Sequence, residues 1–512
     1  MRELPSEGQP FRKIRENDLL YVDKTQYLYD IVKTKGCFFL SRPRRFGKSL
    51  LLGAAHELLR GHREYFKGLW IDSSDYDFKP YPVVHLDMIG ACGSTAALEN
   101  SISETLRCEA ARTGLDKLTA VTLGGMLREM VSTLKRASGE PVAVLIDEYD
   151  YPIQGVIGDL AQVDKNRATL HDFYSSLKSL ADTDLTQVVL VTGVSKFAQT
   201  SLFSAFNNLY DLTMDSSYNA ICGFTIGEFE AQFSDYLPEV LEYNKSKGLL
   251  PESATVANLK EAILNKYDGY SWDGIDRILN PFSIVKTLAK RELHSYWYST
   301  ATSAFFLELL KRKNILDFPE NPETDISSLS SVDIDNLELT PLMFQTGYLT
   351  VDKRIDADAY LLRRPNAEVN EALNRDLLHY LLGQGKDFVN SLKERVRKAL
   401  EGFDSLGLAA CFRDILIWNT HVELRAMEAS YLGFLGSVLK ALSFSVTFLP
   451  EDSQEVANLS ISLGKNMAFV FMLKYKPLDA DPKTKTVERL EAERQKLLSD
   501  GMDEAKNQMA FR

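Results

Sequence analysis

The chain has 512 residues, 45% of them hydrophobic and 25% charged, and a formal net charge of −12. That length exceeds a single hydrophobic core and leads to an expectation of about three domains, while the acidic balance excludes non-specific nucleic-acid binding over the whole surface, which needs clustered Lys and Arg. No apolar run is long enough to span a membrane, Met1-Arg2-Glu3-Leu4-Pro5-Ser6-Glu7 holds no apolar signal core, and five scattered cysteines lack C-x-x-C spacing, so the expectation is a cytoplasmic protein with buried thiols, no disulfide, no zinc site and no membrane partner.

In chain order, Tyr21-Val22-Asp23-Lys24-Thr25 reads as a short extended piece before an amphipathic helix, Tyr27-Leu28-Tyr29-Asp30-Ile31-Val32. Asp23 can cap that helix, with Thr25 in its first turn. Cys37-Phe38-Phe39-Leu40-Ser41 predicts a buried strand, Arg42-Pro43-Arg44-Arg45-Phe46-Gly47 a turn, and Lys48-Ser49-Leu50 the start of a helical pattern running to Tyr65 and the Gly68 turn. The turn's N–H groups and the helix N-terminus converge on a small space that suits an anion. In a phosphate-binding loop of the form G-x-x-x-x-G-K-[ST], Lys48 reaches the β- and γ-phosphates and the Ser49 hydroxyl takes one position on Mg²⁺. Arg42 stands where that pattern has its first Gly, so on this motif alone a basic turn before a surface helix competes.

Tyr81-Pro82-Val83-Val84-His85-Leu86-Asp87-Met88 is the next strand candidate, and residues 96–135 read as helical with breaks at Gly114 and Gly124-Gly125. Pro141-Val142-Ala143-Val144-Leu145-Ile146-Asp147-Glu148-Tyr149-Asp150 is a continuous apolar run ending in carboxylates, the Walker B pattern. Asp147 is read as a metal ligand and Glu148 as the base that polarises the attacking water. A helix over 165–181 precedes a fourth apolar run, Gln187-Val188-Val189-Leu190-Val191-Thr192-Gly193, and strands alternating with helices indicate a parallel α/β sheet. Thr192 and Ser195, at the carboxyl end where ligands of such sheets bind, are candidate γ-phosphate sensors or simply turn formers.

Further on, Tyr267-Asp268-Gly269-Tyr270-Ser271-Trp272 and Asn280-Pro281-Phe282-Ser283-Ile284 suit a packing surface or a ligand platform. Residues 226–363 look mostly helical, with a polar insert at 317–335.

Together, Tyr21-Val22-Asp23-Lys24-Thr25, Arg42-Pro43-Arg44-Arg45-Phe46-Gly47-Lys48-Ser49, Leu145-Ile146-Asp147-Glu148-Tyr149-Asp150, Thr192-Gly193-Val194-Ser195-Lys196, Leu202-Phe203-Ser204, Cys222-Gly223-Phe224-Thr225 and Asn280-Pro281-Phe282-Ser283 closely resemble the bacterial AAA-ATPase-like proteins with a C-terminal domain of the PD-(D/E)XK nuclease superfamily. The resemblance implies an additional-strand P-loop ATPase at the front, with ATP as nucleotide, and brings Arg42 into that family's own form of the loop. It implies for the tail a helix, a strand with an Asp and a strand ending Glu-x-Lys. Here Asn458-Leu459-Ser460-Ile461-Ser462-Leu463 lacks the Asp and Ala468-Phe469-Val470-Phe471-Met472-Leu473-Lys474 has Met472 for the Glu, leaving Lys474 alone. Two missing carboxylates remove most of the charge that offsets Mg²⁺; Glu451, Asp452 and Glu455 are the substitutes to consider.

The expected architecture is therefore a P-loop domain over 1–225, a helical lid or linking domain over 226–365, and a connector with a degenerate nuclease-like α/β domain over 366–512. The expected nucleotide contacts run from Arg42 to Leu50, with Ser49 and Asp147 on Mg²⁺, and Glu148, Lys48, Arg44, Arg45, Thr192 and Ser195 in catalysis. The leading function is Mg²⁺-dependent ATP hydrolysis with an inactive tail as docking or regulatory module, open to a DNA or protein partner, and with a homo-oligomer as an allowed assembly. The competing functions are an ATP-dependent DNA nuclease in defence or mobile-element biology and a non-catalytic nucleotide switch.

Overall fold

Four of the predicted apolar runs form neighbouring strands: β1 Gly36–Ser41, β2 Val83–Asp87, β3 Val142–Asp147 and β4 Thr186–Gly193. In the computed structural model, which describes residues 1–115, 117–181, 183–196, 209–297, 310, 321–330, 338–419, 424, 428–449, 458–463 and 467–472, they join β5 Leu209–Asp211 in one sheet of order β2-β3-β4-β1-β5. Every pairing in it is parallel. β3 is buried throughout, and β1 and β4 are buried beyond their first residue, as expected of strands covered on both faces. Each fully buried Val, Leu or Ile there contributes about 1.5–3 kcal/mol of transfer free energy.

The strand order positions the site. β4 lies between β1 and β3, with Ser41 beside Gly193 and Ile146 beside Val191, so three chain exits stand side by side at one carboxyl edge. Helices Lys48–Leu59, Thr95–Arg112, Leu123–Ser138 and Leu160–Ala181 pack around the sheet or on one another. Gly124 and Gly125 do not break the third of these but open it: Thr122 caps it by accepting the Gly125 N–H at 3.1 Å. A Cβ on Gly124 would fall 2.5 Å from the Asp172 carbonyl oxygen, so that glycine records a close helix approach.

Two compact units result, Met1–Phe306 with Pro319–Glu371, and Leu307–Phe318 with Ala372–Arg512. Residues 226–306 belong to the same unit as the parallel sheet. There, Leu20 and Val22 share a core with Phe229, Phe233, Leu237, Leu259, Ile263 and Ile284. Asp23 accepts the N–H and hydroxyl of Thr25 and the N–H of Trp70, while Lys24 pairs with Glu228 at 2.6 Å, so this motif clasps the N-terminal segment to two later ones. A short β6 Phe224–Thr225 pairs with β7 Ile278–Leu279. The region read as mostly helical also holds an antiparallel sheet of β8 Glu323–Asp325, β9 Thr350–Arg354 and β10 Ala359–Arg363, in the order β8-β10-β9.

In the second unit, helices Lys386–Glu401 and Ser405–Ile417 pack together, and Glu428–Ala441 packs on an antiparallel sheet of β11 Ser445–Leu449, β12 Asn458–Leu463 and β13 Met467–Met472. Leu459 and Ile461 of β12 are buried and the intervening Ser460 is not, the two-residue period of a half-covered strand. Lys474, Glu451, Asp452, Glu455 and the Leu202-Phe203-Ser204 motif lie outside the described residues. No disulfide joins the five cysteines, and Cys108 is exposed, against the expectation of burial. No helix among the described residues is long and apolar enough to cross a membrane.

Candidate nucleotide site

The turn after β1 closes on itself around a lysine. Lys48 is buried, and its Nζ donates to the carbonyls of Arg42 at 3.1 Å and Pro43 at 3.4 Å, and lies 3.4 Å from Glu148 Oε1. Two non-glycine residues flanking it hold left-handed backbone, Arg45 at φ 71° and Glu148 at φ 50°, with Gly47 at φ 97° between turn and helix. A positive φ costs a non-glycine residue of order 1–3 kcal/mol and persists where the surroundings over-determine it. The helix Lys48–Leu59 leaves its first N–H groups without intrahelical partners, which makes its start receptive to an anion.

The other two exits meet this loop. Asp147 Oδ1 accepts the Thr192 hydroxyl at 2.6 Å and the Glu148 N–H at 3.0 Å, joining the ends of β3 and β4. Asp150 is fully buried and accepts N–H groups from Val194 at 3.2 Å and Ser195 at 2.7 Å, together with the Gln154 amide. Burial first, then the nearby Glu148 charge, push its carboxyl up to about 6, against the Ser195 N–H and Lys48. Tyr149 Oη donates to the Ser195 carbonyl at 2.7 Å, and Tyr174 Oη to the Tyr149 carbonyl at 2.8 Å. A Cβ on Gly193 would sit 2.6 Å from both Asp150 Oδ1 and the Tyr149 ring, so this approach requires glycine.

The sequence-derived candidates divide into those near this convergence and those turned elsewhere. Lys48, Asp147, Glu148 and Thr192 are brought together. Ser49 is exposed in the first helical turn and Leu50 is half-buried behind it. Ser195 contributes its backbone, as acceptor from Tyr149 and donor to Asp150.

Arg42, one of the expected nucleotide contacts, turns its side chain into the fold. Its guanidinium is buried, stacked 4.0 Å from the Trp272 ring centroid, and donates to the carbonyls of Ser41 and Thr213, both at 2.9 Å, and Tyr218 at 3.0 Å. No carboxylate among the described residues pairs with it, and burial pushes its pKa down to about 10. Phe46 is likewise turned inward, edge-on to Tyr270 at 4.7 Å and to Trp272 at 5.5 Å, so those aromatics are a packing surface beneath the loop. Pro43 is buried against Gly347, where a Cβ would come within 2.8 Å of it.

The remaining two arginines part company. Arg45 lies 5.0 Å over the Phe282 ring and pairs with Glu7 at 3.0 Å, whereas Arg44 Nη2 donates to Gln154 Oε1 at 3.0 Å. The Arg44 carbonyl accepts Trp297 Nε1 at 3.3 Å, and the Trp297 N–H donates to Glu368 at 2.9 Å.

Sequence reasoning missed Asp150, Gln154, Trp297, Glu368 and Asp87. Asp87 ends β2 in register with Asp147, and burial with the charges of Asp147 and Glu148 raises its carboxyl. Its position at the end of a predicted strand was an available signal; Trp297 and Glu368 offered none.

No group of three or more His, Cys, Asp or Glu side chains among the described residues is poised to hold a metal. Ser49 and Asp147 suit an ion that takes one or two protein ligands and completes its shell with phosphate oxygens and water.

Residues 7–203 match a family model described as a predicted AAA-ATPase. A protein of Azotobacter chroococcum mcd 1, described as an uncharacterized protein in the vnfD 5′ region, is 31% identical over 502 residues, which cover 96% of this chain and 92% of that one. Among solved structures, the Aeropyrum pernix ORC2 protein in its ADPNP-ADP complexes aligns at 12% identity over 87% of this chain and 89% of its own, with a TM-score of 0.26. Cdc6p from Pyrobaculum aerophilum aligns at 10% identity over 93% and 94%, with a TM-score of 0.24. Superpositions this loose carry no argument, and the fold rests on the strand order and register above.

Proposed function

The chain belongs to the AAA-ATPase-like family of predicted AAA-ATPases, and on that premise we propose that it binds ATP with Mg²⁺ and hydrolyses it. What supports this reading above all is the convergence of Lys48, Glu148, Asp147 and Thr192 at one edge of a parallel sheet, with Lys48 Nζ 3.4 Å from Glu148 and Thr192 Oγ1 2.6 Å from Asp147.

In this reading the loop N–H groups and Lys48 take the β- and γ-phosphates, and Glu148 orients and deprotonates the attacking water. Ser49 and Asp147 would hold Mg²⁺, which would supply neutralisation of charge on the phosphate oxygens. Thr192 senses the γ-phosphate through its bond to Asp147. The preference for ATP over GTP rests on family likeness.

The second unit acts as a docking or regulatory module for a DNA or protein partner. What speaks for this role over nuclease activity is that the six residues of β12 include no acid, and that residues 411–512 hold 13 Lys and Arg against 14 Asp and Glu, a balance without a basic footprint that favours a protein over DNA. A homo-oligomer is compatible with this function, and the mass of the protein in ATP tests it.

The deciding experiment measures ATP affinity and turnover for the full chain, Lys48→Ala and Glu148→Gln. Lys48→Ala loses binding, and Glu148→Gln binds ATP but does not turn it over. Undiminished turnover in Glu148→Gln would overturn the assignment.

A further inference from the structure

Both Arg44 and Arg45 are close enough in sequence to the phosphate loop to supply the positive charge that phosphoryl transfer needs. They are not equivalent in space. Arg45 is committed to Glu7 and the Phe282 ring. Arg44 is bonded to Gln154, in the short helix Tyr151–Gln154 that follows the Asp147-Glu148 strand end.

Gln154 is itself held. Its amide nitrogen donates to Asp150 Oδ2, the same oxygen that accepts the Ser195 N–H at 2.7 Å and the Val194 N–H at 3.2 Å. The Gln154 side chain thus faces a buried acceptor on one side and a cation on the other, which fixes its amide orientation: nitrogen toward Asp150, oxygen toward Arg44. One continuous line of hydrogen bonds runs from the phosphate loop through the exit of β3 to the exit of β4.

We propose that Arg44, rather than Arg45, stabilises the transferred phosphoryl group in cis, and that Gln154 and Asp150 are positioning residues that hold it there. This rests on the ATPase reading above. In the reaction, the water oxygen bonds the γ-phosphorus, its proton passes to Glu148, and the bond to the β,γ-bridging oxygen breaks with its electron pair leaving on ADP. Negative charge spreads over the γ-phosphoryl oxygens as this happens, and a guanidinium held beside them stabilises it. Asp150 acts through Gln154, whose amide nitrogen donates to its Oδ2, and touches no substrate.

The test is a double-mutant cycle on kcat and on ATP affinity, using Arg44→Ala, Gln154→Leu and the pair, with Arg45→Ala alongside. Arg44→Ala lowers kcat by about 10³-fold, the lower end for such an arginine. Gln154→Leu, which keeps the size and loses both bonds, lowers kcat by about 10- to 100-fold with KM for ATP nearly unchanged. In the Arg44→Ala background the Gln154→Leu change has no further effect, because Gln154 works through Arg44. Asp150→Asn follows Gln154→Leu, and unfolding midpoints separate its effect on folding from that on kcat.

The inference is overturned if the two substitutions multiply, if Gln154→Leu leaves kcat intact, or if Arg45→Ala is the damaging one. Absence of ATP turnover in the unsubstituted protein would instead overturn the ATPase reading and this inference with it, an outcome recognisable before any substitution is made.

Discussion

The five-stranded sheet of the first unit and the three-stranded sheet of the second are both built from apolar strands, yet they differ in what the strands end in. β1, β3 and β4 finish in Ser41, Asp147 and Gly193, each followed by polar or charged residues that bond across to a neighbouring exit. β11, β12 and β13 finish in Leu449, Leu463 and Met472. The first unit also buries Lys24, Arg42, Lys48, Glu57, Glu109, Asp147, Asp150 and Glu368, whereas Asp376 is the buried charged side chain among the described residues of the second. Burying a charge costs several kcal/mol unless it is partnered. Some of these are held by structural partners, Lys24 by Glu228 and Arg42 by backbone carbonyls and the Trp272 ring, whereas Lys48, Asp147 and Asp150 gather at the strand exits.

The largest effect expected from this contrast is at Lys48. Lys48→Ala removes the charge at the centre of the loop, and ATP affinity by titration calorimetry falls by about 100-fold or more. The counterpart for the second unit is a plasmid-cleavage assay with Mg²⁺ or Mn²⁺. No cleavage is expected, and cutting that disappears in Lys474→Ala would break the contrast by giving the second unit a chemistry of its own.

Next in size is a pH effect at Glu368. This carboxylate accepts the Ser283 hydroxyl at 2.8 Å and the Trp297 N–H at 2.9 Å, and burial outweighs both bonds, raising its pKa from 4.5 to about 7. A raised carboxyl binds its proton more tightly in the folded state. Its stabilising contribution is thus complete below pH 4.5 and is lost as pH rises through about 7, on the order of 3 kcal/mol in all. In urea unfolding at pH 5 and pH 7.5, the difference between the unsubstituted protein and Glu368→Gln should shrink or reverse at the higher pH. A pH-independent difference would mean that Glu368 is ionised in both states.

Much of the first unit was legible because its signals are local. An apolar run with a polar end fits within a few residues, so β1, β3 and β4 and their exits were placed within a residue or two. Arg42 was not legible, because its partners come from Thr213, Tyr218 and Trp272, and no local pattern distinguishes an arginine that faces a ligand from one that stacks inward. The hairpin of β9 and β10 was read as helical because Lys353, Arg354 and Arg363 interrupt its alternation and the turn between the strands, Ile355-Asp356-Ala357-Asp358, has no glycine. In the tail, the two runs that the family resemblance pointed to fall on β12 and overlap β13, and Leu459, Ser460 and Ile461 alternate as a half-covered strand does.

Smaller effects come from single methyl groups, and they sharpen the contrast between a tight site and a plain core. Gly193→Ala drives a Cβ to 2.6 Å from Asp150 and Tyr149, a clash worth about 1–3 kcal/mol. Because Asp150 tethers the β4 exit, turnover should fall together with stability.

The smallest effect is in the second unit, on the helix Glu428–Ala441, where two glycines three residues apart should respond with opposite signs. A Cβ on Gly436 would meet the Phe448 ring at 2.4 Å, whereas one on Gly433 would meet nothing within 4 Å. Replacing a helical glycine where space is open restricts the unfolded chain and stabilises by about 0.5–1 kcal/mol. Gly433→Ala should therefore raise the unfolding midpoint slightly while ATP turnover stays unchanged, and Gly436→Ala should lower it. If Gly433→Ala is destabilising instead, that face of the helix is covered in solution, and the second unit is engaged where its own fold leaves open space.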